Sequence, residues 1–223
     1  MLGYYAIHAP DTGRAKDFYA TVFGWTYESQ GDYHHIAGSS PAGGIASGEP
    51  LIDPAFVVDD AAAKAAQARE LGGTATEPKR SDSGWSFEVT DGHGGRLGLW
   101  QPADKYRGDS PKSGEGDVFY FVQPAANDEA RAFYTALLGW ELTPGSHPGG
   151  WNIVGVNPPG GLFVSKPGRT DLYFHVADVD ATAERIRAAG GTAGPTEPNR
   201  AGAHAACRDD QGIVFSIGSL HRK

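Results

Sequence analysis

The sequence predicts an α+β fold that occurs twice along one chain. A Phe-Tyr-x4-Gly-Trp motif at residues 18–25 recurs at 133–140, an offset of 115 residues, and a Gly-Gly-Thr motif at 72–74 recurs at 190–192, an offset of 118. Matches that keep their order while the offset grows in small steps indicate a duplicated unit with short loop insertions. Within each copy, helical periodicity alternates with groups of short strand-like segments, a mixture that predicts the α+β class.

The first helix of each copy is predicted from an apolar stripe of period 3.6. In the second copy this stripe consists of Ala130, Phe133, Tyr134, Leu137 and Leu138. Asp11 and Asn127 are the predicted N-caps, because their short side chains accept hydrogen bonds from the first turn. Gly24 and Gly139 follow the last apolar residues and predict the left-handed ends of these two helices.

The remaining elements are predicted from short apolar or alternating runs bounded by turn residues. The predicted strands are 4–8, 33–37, 43–47, 55–58, 85–90 and 96–100 in the first copy and 118–123, 151–156, 161–165, 172–176, 203–208 and 213–217 in the second. A second helix in each copy is predicted to begin at Asp59 or Asp60 and at Asp178, and to end at Gly72 and Gly190. Each copy therefore reads as two βαβββ modules.

The repeat also predicts the domain boundaries. We expect a first domain at 1–103 and a second at 117–223. The stretch 104–116 between them is polar, rich in Gly and Pro and without periodicity, as is typical of a linker.

Composition limits the classes of function. The formal net charge is −8, from 27 acidic and 19 basic residues, which argues against a nucleic-acid partner because phosphate backbones require basic patches. No apolar run approaches the ~20 residues of a membrane span, and residues 1–8 do not resemble a signal peptide, so a cytoplasmic protein with no membrane partner is expected. Cys207 is the only cysteine, which excludes a Cys-rich zinc site and an intramolecular disulfide.

Four segments carry a resemblance to a known family. The two Phe-Tyr-x4-Gly-Trp motifs, the segment Phe174-His175-Val176-Ala177-Asp178-Val179-Asp180 and the turn at 91–94 resemble the vicinal oxygen chelate superfamily, which includes glyoxalase I, bleomycin-resistance proteins and extradiol dioxygenases. The resemblance covers nearly the whole chain twice and is closest to tandem bacterial members. It implies that each copy forms a curled sheet that makes a cup. Because the superfamily includes both enzymes and antibiotic-binding proteins, the fold alone does not define the activity.

In metalloenzymes of this superfamily, one divalent ion is held by His or Gln on the first strand, His before the second helix and Glu on the last strand. The resemblance assigns these positions to His8, Val57 and Gly98 in the first copy and to Gln123, His175 and Ser216 in the second. Neither copy has the final carboxylate. No metal is therefore expected within a single copy, since affinity depends on the type and number of ligands.

An alternative is that the copies exchange modules, so that His8 and His175 share one cup beside Ser216. Such a composite site would hold one Fe, Mn, Zn, Ni or Co ion and would support a lyase, isomerase or dioxygenase reaction. The catalytic residues of this alternative are not defined by the sequence beyond the two histidines.

The leading hypothesis is a small-molecule binding protein, for a drug or metabolite, without a complete metal site. Its candidate ligand-binding residues are His8, Gln123, His175, Ser216, Tyr33, Trp85, Trp100, Phe119 and Trp151. Aromatic strand residues with few ionisable neighbours predict a flat aromatic or apolar ligand. His204 is interpreted as a surface residue. A monomer or a homodimer is expected, because the duplication supplies the pairing that single-copy relatives obtain by dimerisation.

Overall fold

A computed structural model describes residues 1–106, 114–199 and 201–221. Most of the predicted linker, 104–116, therefore lies outside the described residues. Of that stretch, Asp104–Tyr106 forms a short 3-10 helix and residues 114–116 lead into the second copy.

The first copy contains two helices and nine strands. Its helices are α1 (Thr12–Phe23) and α2 (Ala61–Glu70). Its strands are β1 (Leu2–Ala9), β2 (Tyr27–Gln30), β3 (Tyr33–Ile36), β4 (Ala42–Ser47), β5 (Leu51–Val57), β6 (Thr74–Ala75), β7 (Lys79–Ser81), β8 (Gly84–Thr90) and β9 (Arg96–Pro102).

The second copy repeats this order. Its helices are α3 (Asp128–Leu138) and α4 (Val179–Ala188). Its strands are β10 (Val118–Ala125), β11 (Leu142–Pro144), β12 (Gly150–Ile153), β13 (Gly160–Val164), β14 (Asp171–His175), β15 (Thr192–Ala193), β16 (Glu197–Pro198), β17 (Gly202–Arg208) and β18 (Val214–Leu220).

The predicted ends of α1 and α3 are confirmed. The side chain of Asp11 accepts a hydrogen bond from the backbone N–H of Arg14, and that of Asn127 accepts one from Ala130. Gly24 and Gly139 end the two helices in the left-handed conformation, with φ of 72° and 67°. These local residues fix the helix ends because they satisfy backbone groups that have no partner within the helix.

The strands form two sheets, and each sheet is built from one copy. The first has the order β2-β3-β4-β1-β5-β9-β8-β6, with β7 paired to β8, and the second has the order β11-β12-β13-β10-β14-β18-β17-β15, with β16 paired to β17. The predicted α+β class with two βαβββ modules in each copy is confirmed.

Three short strands in each copy were not expected from the sequence: β2, β6 and β7, and their counterparts β11, β15 and β16. They contain almost no buried residues; β2, for example, has one half-buried residue followed by three exposed ones. A strand that buries neither face shows no apolar alternation, so hydrophobic periodicity cannot detect it.

The chain packs into two units that do not coincide with the two copies. The described residues of the first unit are 1–4, 54–106 and 120–171, and those of the second unit are 5–53, 114–119 and 172–221 except 200. Each unit thus combines a βαβββ module of one copy with a module of the other. The domain boundaries at 103 and 117 remain a prediction.

The core of the second unit is an aromatic cluster between α1 and the strands β14 and β18. Phe23 lies 5.4 Å from Phe174 and 6.0 Å from Phe215, measured between ring centroids, and Trp25 lies 5.6 Å from Phe174. All four side chains are buried. Both tryptophans of the repeated motif, Trp25 and Trp140, therefore serve as packing anchors.

A buried phenol–carboxylate hydrogen bond joins the two modules of each unit. In the second unit, Tyr19 on α1 donates its hydroxyl to Asp209 in the β17–β18 turn, at 3.3 Å. In the first unit, Tyr134 on α3 donates to Asp91 in the β8–β9 turn, at 2.9 Å. Burial raises the pKa of both phenols, and the facing carboxylates raise it further. The tyrosines therefore remain neutral hydrogen-bond donors.

The same two carboxylates also organise their turns. Asp91 accepts hydrogen bonds from the backbone N–H groups of His93 and Gly95, and Asp209 accepts them from Gln211 and Ile213. Burial raises the pKa of Asp209, and the backbone N–H groups of Ile213 and Gln211 counteract this effect. One aspartate thus fixes a strand turn and anchors a helix from the other copy.

None of the helices in the described part of the chain combines the length and the apolar character needed to cross a membrane.

We predict that Tyr19→Phe and Tyr134→Phe each lower the free energy of unfolding by about 1–3 kcal/mol, because each leaves a buried carboxylate oxygen without its donor. Urea denaturation followed by circular dichroism measures the change. His147→Ala, at an exposed side chain, is the control and should change stability by less than about 0.5 kcal/mol. Equal stability of all three variants and the parent protein would contradict the assigned role.

We also predict that the thiol of Cys207 is unreactive in the folded protein. The side chain is 3% exposed, and burial raises its pKa to about 12, so little thiolate exists near neutral pH. Labelling with Ellman's reagent at pH 8 should be at least about 100-fold slower in the native protein than in urea. A Cys207→Ala, Ala206→Cys variant moves the thiol to an exposed position on the opposite face of β17 and should label rapidly.

Candidate functional site

One face of the second sheet, within the second unit, collects several polar and aromatic side chains. His175 on β14 is paired with Gly218 on β18, and Gly218 is paired with His204 on β17. Two residues earlier on the same strands, Tyr173 of β14 is paired with Ser216 of β18. Directly opposed residues of neighbouring strands point to the same side of a sheet. We call this surface, defined by Tyr173, His175, His204, Ser216, Gly218 and the adjacent Phe119, the His175 face.

The opposite side of the same strands is the core. Phe174, Phe215 and Ile217 alternate along the chain with the residues of the His175 face and are at most 2% exposed. The four side chains Tyr173, His175, His204 and Ser216 are all half-buried. The period of two along β14 and β18 therefore separates a packed apolar side from a partly accessible polar side.

Backbone hydrogen bonds hold the main chain of His175 in place. Its N–H donates to the carbonyl of Asp117 at 2.8 Å, and its carbonyl accepts from the N–H of Gly116 at 2.7 Å. The indole of Trp25 donates to the carbonyl of Gly116 at 3.1 Å, and the carboxylate of Asp117 accepts from the N–H of Ser40 at 2.8 Å. The backbone that carries the imidazole is thus held by hydrogen bonds at both the N–H and the carbonyl of His175.

The Nδ1 atom of His175 is buried and has no hydrogen-bond partner among the described residues. The ring packed against this imidazole is that of Phe119, at 5.7 Å between centroids and an interplanar angle of 77°. Buried polar atoms in native proteins are nearly always hydrogen-bonded, so an unsatisfied one calls for an explanation.

The neighbouring His204 has a defined tautomer. Asn199 uses its Oδ1 to accept hydrogen bonds from the N–H groups of Ala201 and Gly202, so its Nδ2 donates to Nδ1 of His204, at 3.3 Å. A neutral His204 therefore carries its proton on Nε2. Nε2 lies 3.8 Å from a carboxylate oxygen of Glu197.

The structure brings three of the predicted ligand-binding residues together. Phe119, His175 and Ser216 all belong to the His175 face. Two others, His8 and Tyr33, lie in the same unit but on the first sheet. His8 packs against Gly48, and Tyr33 is 38% exposed on β3.

The predicted tryptophans belong to the first unit. Trp100 donates its indole N–H to the carbonyl of Ser83 at 3.1 Å. The guanidinium of Arg131 lies 4.5 Å from the ring centroid of Trp151, and that of Arg80 lies 5.8 Å from Trp85. These contacts give each tryptophan a partner within the fold.

Gln123 also lies in the first unit, and its side chain is fully buried. It accepts a hydrogen bond from Thr170 at 2.5 Å and donates to the carbonyl of Pro124 at 3.1 Å. The expectation that Gln123 matches His8 is wrong by one residue, because β1 and β10 are both eight residues long and their alignment pairs Gln123 with Ile7. Gln123 therefore points to the buried side of its strand, as Ile7 does.

The composite metal site stays a prediction, since His8 and His175 share a packing unit but lie on different hydrogen-bonded sheets. His8 lies on the first sheet and His175 on the second, because β1 is hydrogen-bonded between β4 and β5 and β14 between β10 and β18. Within the described residues, no group of three or more His, Cys, Asp or Glu side chains is arranged to hold a metal ion. The side chains present do not fit the metal site that the resemblance implies.

Two residues of the face were missed by the sequence reasoning. His204 was interpreted as a surface residue and Tyr173 was not singled out, yet their rings lie 6.0 Å apart on the His175 face. Alternation along β14 would have placed Tyr173 beside His175, since the two are separated by one residue. His204 reaches this face through its register with Gly218 and the pairing of β18 with β14, neither of which the sequence fixes.

Comparison with known proteins agrees with this fold. Residues 120–218 match the model of the Glyoxalase-like domain family. The CFP32 proteins of Mycobacterium bovis and Mycobacterium tuberculosis, provisionally named glyoxylases, are 28% identical over 242 aligned positions, which cover 95% of this chain and 91% of theirs.

Solved structures show the same architecture at low sequence identity. The Mn(II)-bound glyoxalase of Novosphingobium aromaticivorans has a TM-score of 0.67 at 17% identity, over 98% of this chain and 81% of that one. The 2,2',3-trihydroxybiphenyl 1,2-dioxygenase of Sphingomonas wittichii RW1 has a TM-score of 0.64 at 15% identity, over 98% and 90% of the two chains. At this level of identity the likeness concerns the fold. These matches confirm the resemblance: the chain has the fold of the vicinal oxygen chelate superfamily in its tandem, two-copy form.

Proposed function

We propose that this protein binds a small aromatic molecule bearing a hydroxyl or carbonyl group on the His175 face, without a metal ion. The observation that carries the proposal is the buried Nδ1 atom of His175, which has no hydrogen-bond partner among the described residues. Leaving such an atom unsatisfied costs about 1–3 kcal/mol. A hydroxyl group on a ligand fits this atom in either tautomer, because it both donates and accepts, whereas a carbonyl fits when Nδ1 carries the proton.

The neighbouring rings support an aromatic ligand. Phe119, Tyr173 and His204 are aromatic side chains on the same face, and aromatic rings pair favourably in edge-to-face and offset arrangements. Ser216 adds a half-buried hydroxyl in the row next to His175. A planar molecule with one polar substituent would use both kinds of contact.

The absence of a suitable ligand set supports binding over metal-dependent catalysis. Glyoxalases and dioxygenases among the structural neighbours include a protein solved with Mn(II), but the described part of this chain provides no three-residue ligand group. Two imidazoles without a carboxylate make a weak site for a divalent ion. We therefore place a cytoplasmic binding protein, monomeric or homodimeric, ahead of a lyase, isomerase or dioxygenase.

We predict that at least one of four probes, phenol, catechol, 4-nitrophenol and 2-naphthol, binds the protein in isothermal titration calorimetry. His175→Val, which introduces the residue found at the matching position 57 of the first copy, should weaken binding by about fivefold or more because the polar partner is lost. His147→Val, at an exposed turn, is the matched control and should bind like the parent protein. No binding of any probe, or equal binding by His175→Val, would contradict the proposal.

We further predict that metal analysis after incubation with Mn(II), Fe(II), Zn(II), Ni(II) and Co(II), followed by gel filtration, finds well below one ion per chain, because two imidazoles alone bind these ions weakly. His8→Ala and His175→Val should then leave the metal content unchanged. One tightly held ion per chain that is lost in His175→Val would instead favour the metal-dependent alternative.

A further inference from the structure

The ring of Phe119 lies against Gly218, where the lack of a side chain leaves space for it. A Cβ atom built at Gly218 would lie 2.8 Å from Cζ of Phe119, closer than real Cβ atoms approach, and 3.1 Å from Cε1. The ring of Phe119 therefore lies directly over the backbone of β18, in the row that Gly218 shares with His175 and His204. Its edge-to-face contact with His175 places it beside the imidazole that carries the buried Nδ1 atom.

In the first copy, the aromatic ring at the corresponding position comes from the last strand, β9, and not from the first strand as in the second copy. The alignment of β1 with β10 pairs Gly3 with Phe119, and the paired rows of β5–β9 and β14–β18 match Val57 with His175 and Trp100 with Gly218. In the first unit a Cβ built at Gly3 would contact Val57 and would lie 3.1 Å from the indole of Trp100. In the first copy the glycine (Gly3) is on β1 and the ring (Trp100) is on β9. In the second copy the ring (Phe119) is on β10 and the glycine (Gly218) is on β18.

The two rings differ in how firmly they are held. Trp100 is fixed by the hydrogen bond of its indole to Ser83, and the rings of Tyr4 and Tyr106 pack against it at 6.3 and 6.4 Å. Trp100 is half-buried, and the residue paired with it, Val57, is apolar. Phe119 has no polar atom with which to anchor itself, and the residue beside it is an imidazole with an unsatisfied nitrogen.

From these differences we infer that Phe119 is a displaceable cover over His175 and sets the size of the ligand that the His175 face accepts. This inference rests on the proposed function. Displacing the ring opens the imidazole of His175 to a ligand group without breaking a hydrogen bond, because the side chain of Phe119 makes none. The ligand class is a planar aromatic molecule small enough to share the face with Phe119.

Modification with diethyl pyrocarbonate, mapped by mass spectrometry, tests the cover without requiring a ligand. His175 should react more slowly than the exposed His147 in the parent protein, and in Phe119→Ala its rate should rise by about tenfold or more, since the access of a reagent to a protected group depends on local opening. Trp100→Ala, which removes the matched ring of the first copy, should leave the His175 rate unchanged. Phe119→Leu should give an intermediate rate and serves if the alanine variant does not fold.

Binding of two probes tests the size selection. The affinity for 2-naphthol relative to 4-nitrophenol should rise in Phe119→Ala and fall in Phe119→Trp. An unchanged His175 rate in both Phe119→Ala and Phe119→Leu, or an unchanged ratio of affinities, would overturn the inference. If none of the four probes, phenol and catechol included, binds to any variant, the proposed function fails together with the size selection, and the modification rates still decide by themselves whether Phe119 covers His175.

Discussion

Two buried hydrogen bonds, from Tyr19 to Asp209 and from Tyr134 to Asp91, determine how each packing unit is assembled. In each bond a helix of one copy is anchored to a strand turn of the other, and the accepting aspartate also holds that turn through two backbone N–H groups. The helix then presents its aromatic stripe to the apolar side of the strands. The apolar side of β14 and β18 is buried in the core. The opposite side of these strands is partly accessible and is the side on which we propose that a ligand binds.

The sequence predicts the features that depend on neighbouring residues. The caps at Asp11 and Asn127 and the helix ends at Gly24 and Gly139 follow from short-range hydrogen bonding and backbone conformation, and the repeat predicts that both copies share one fold. The Tyr19–Asp209 bond spans 190 residues and crosses between copies, so no local pattern reveals it. Gln123 was misaligned because β10 is apolar on both faces, which leaves its register without a period-two pattern.

The candidate site likewise combines residues that local sequence identifies with residues that only the pairing of distant strands brings together. The sequence singles out His175 because it stands in a recognisable segment that begins within β14, whereas His204 reaches the face only through its register with Gly218 on β18. The composite pairing of His8 with His175 was a reasonable hypothesis for a duplicated chain. The packing units do combine modules from different copies, whereas each hydrogen-bonded sheet is built from one copy. The two copies have also diverged at matched positions, where Val57 and Trp100 make an apolar face in one and His175 and Gly218 make a polar face in the other.

The central claim is that Nδ1 of His175 receives its hydrogen-bond partner from a bound small molecule. Long-range proton–nitrogen correlation spectra of the histidine side chains, recorded while each of the four aromatic probes is titrated into the protein in turn, examine this atom directly. The account predicts that with at least one probe the Nδ1 resonance of His175 shifts and saturates while the resonances of His147 remain in place. Histidine resonances that stay unchanged with all four probes, or a response of His8 alone, would contradict it.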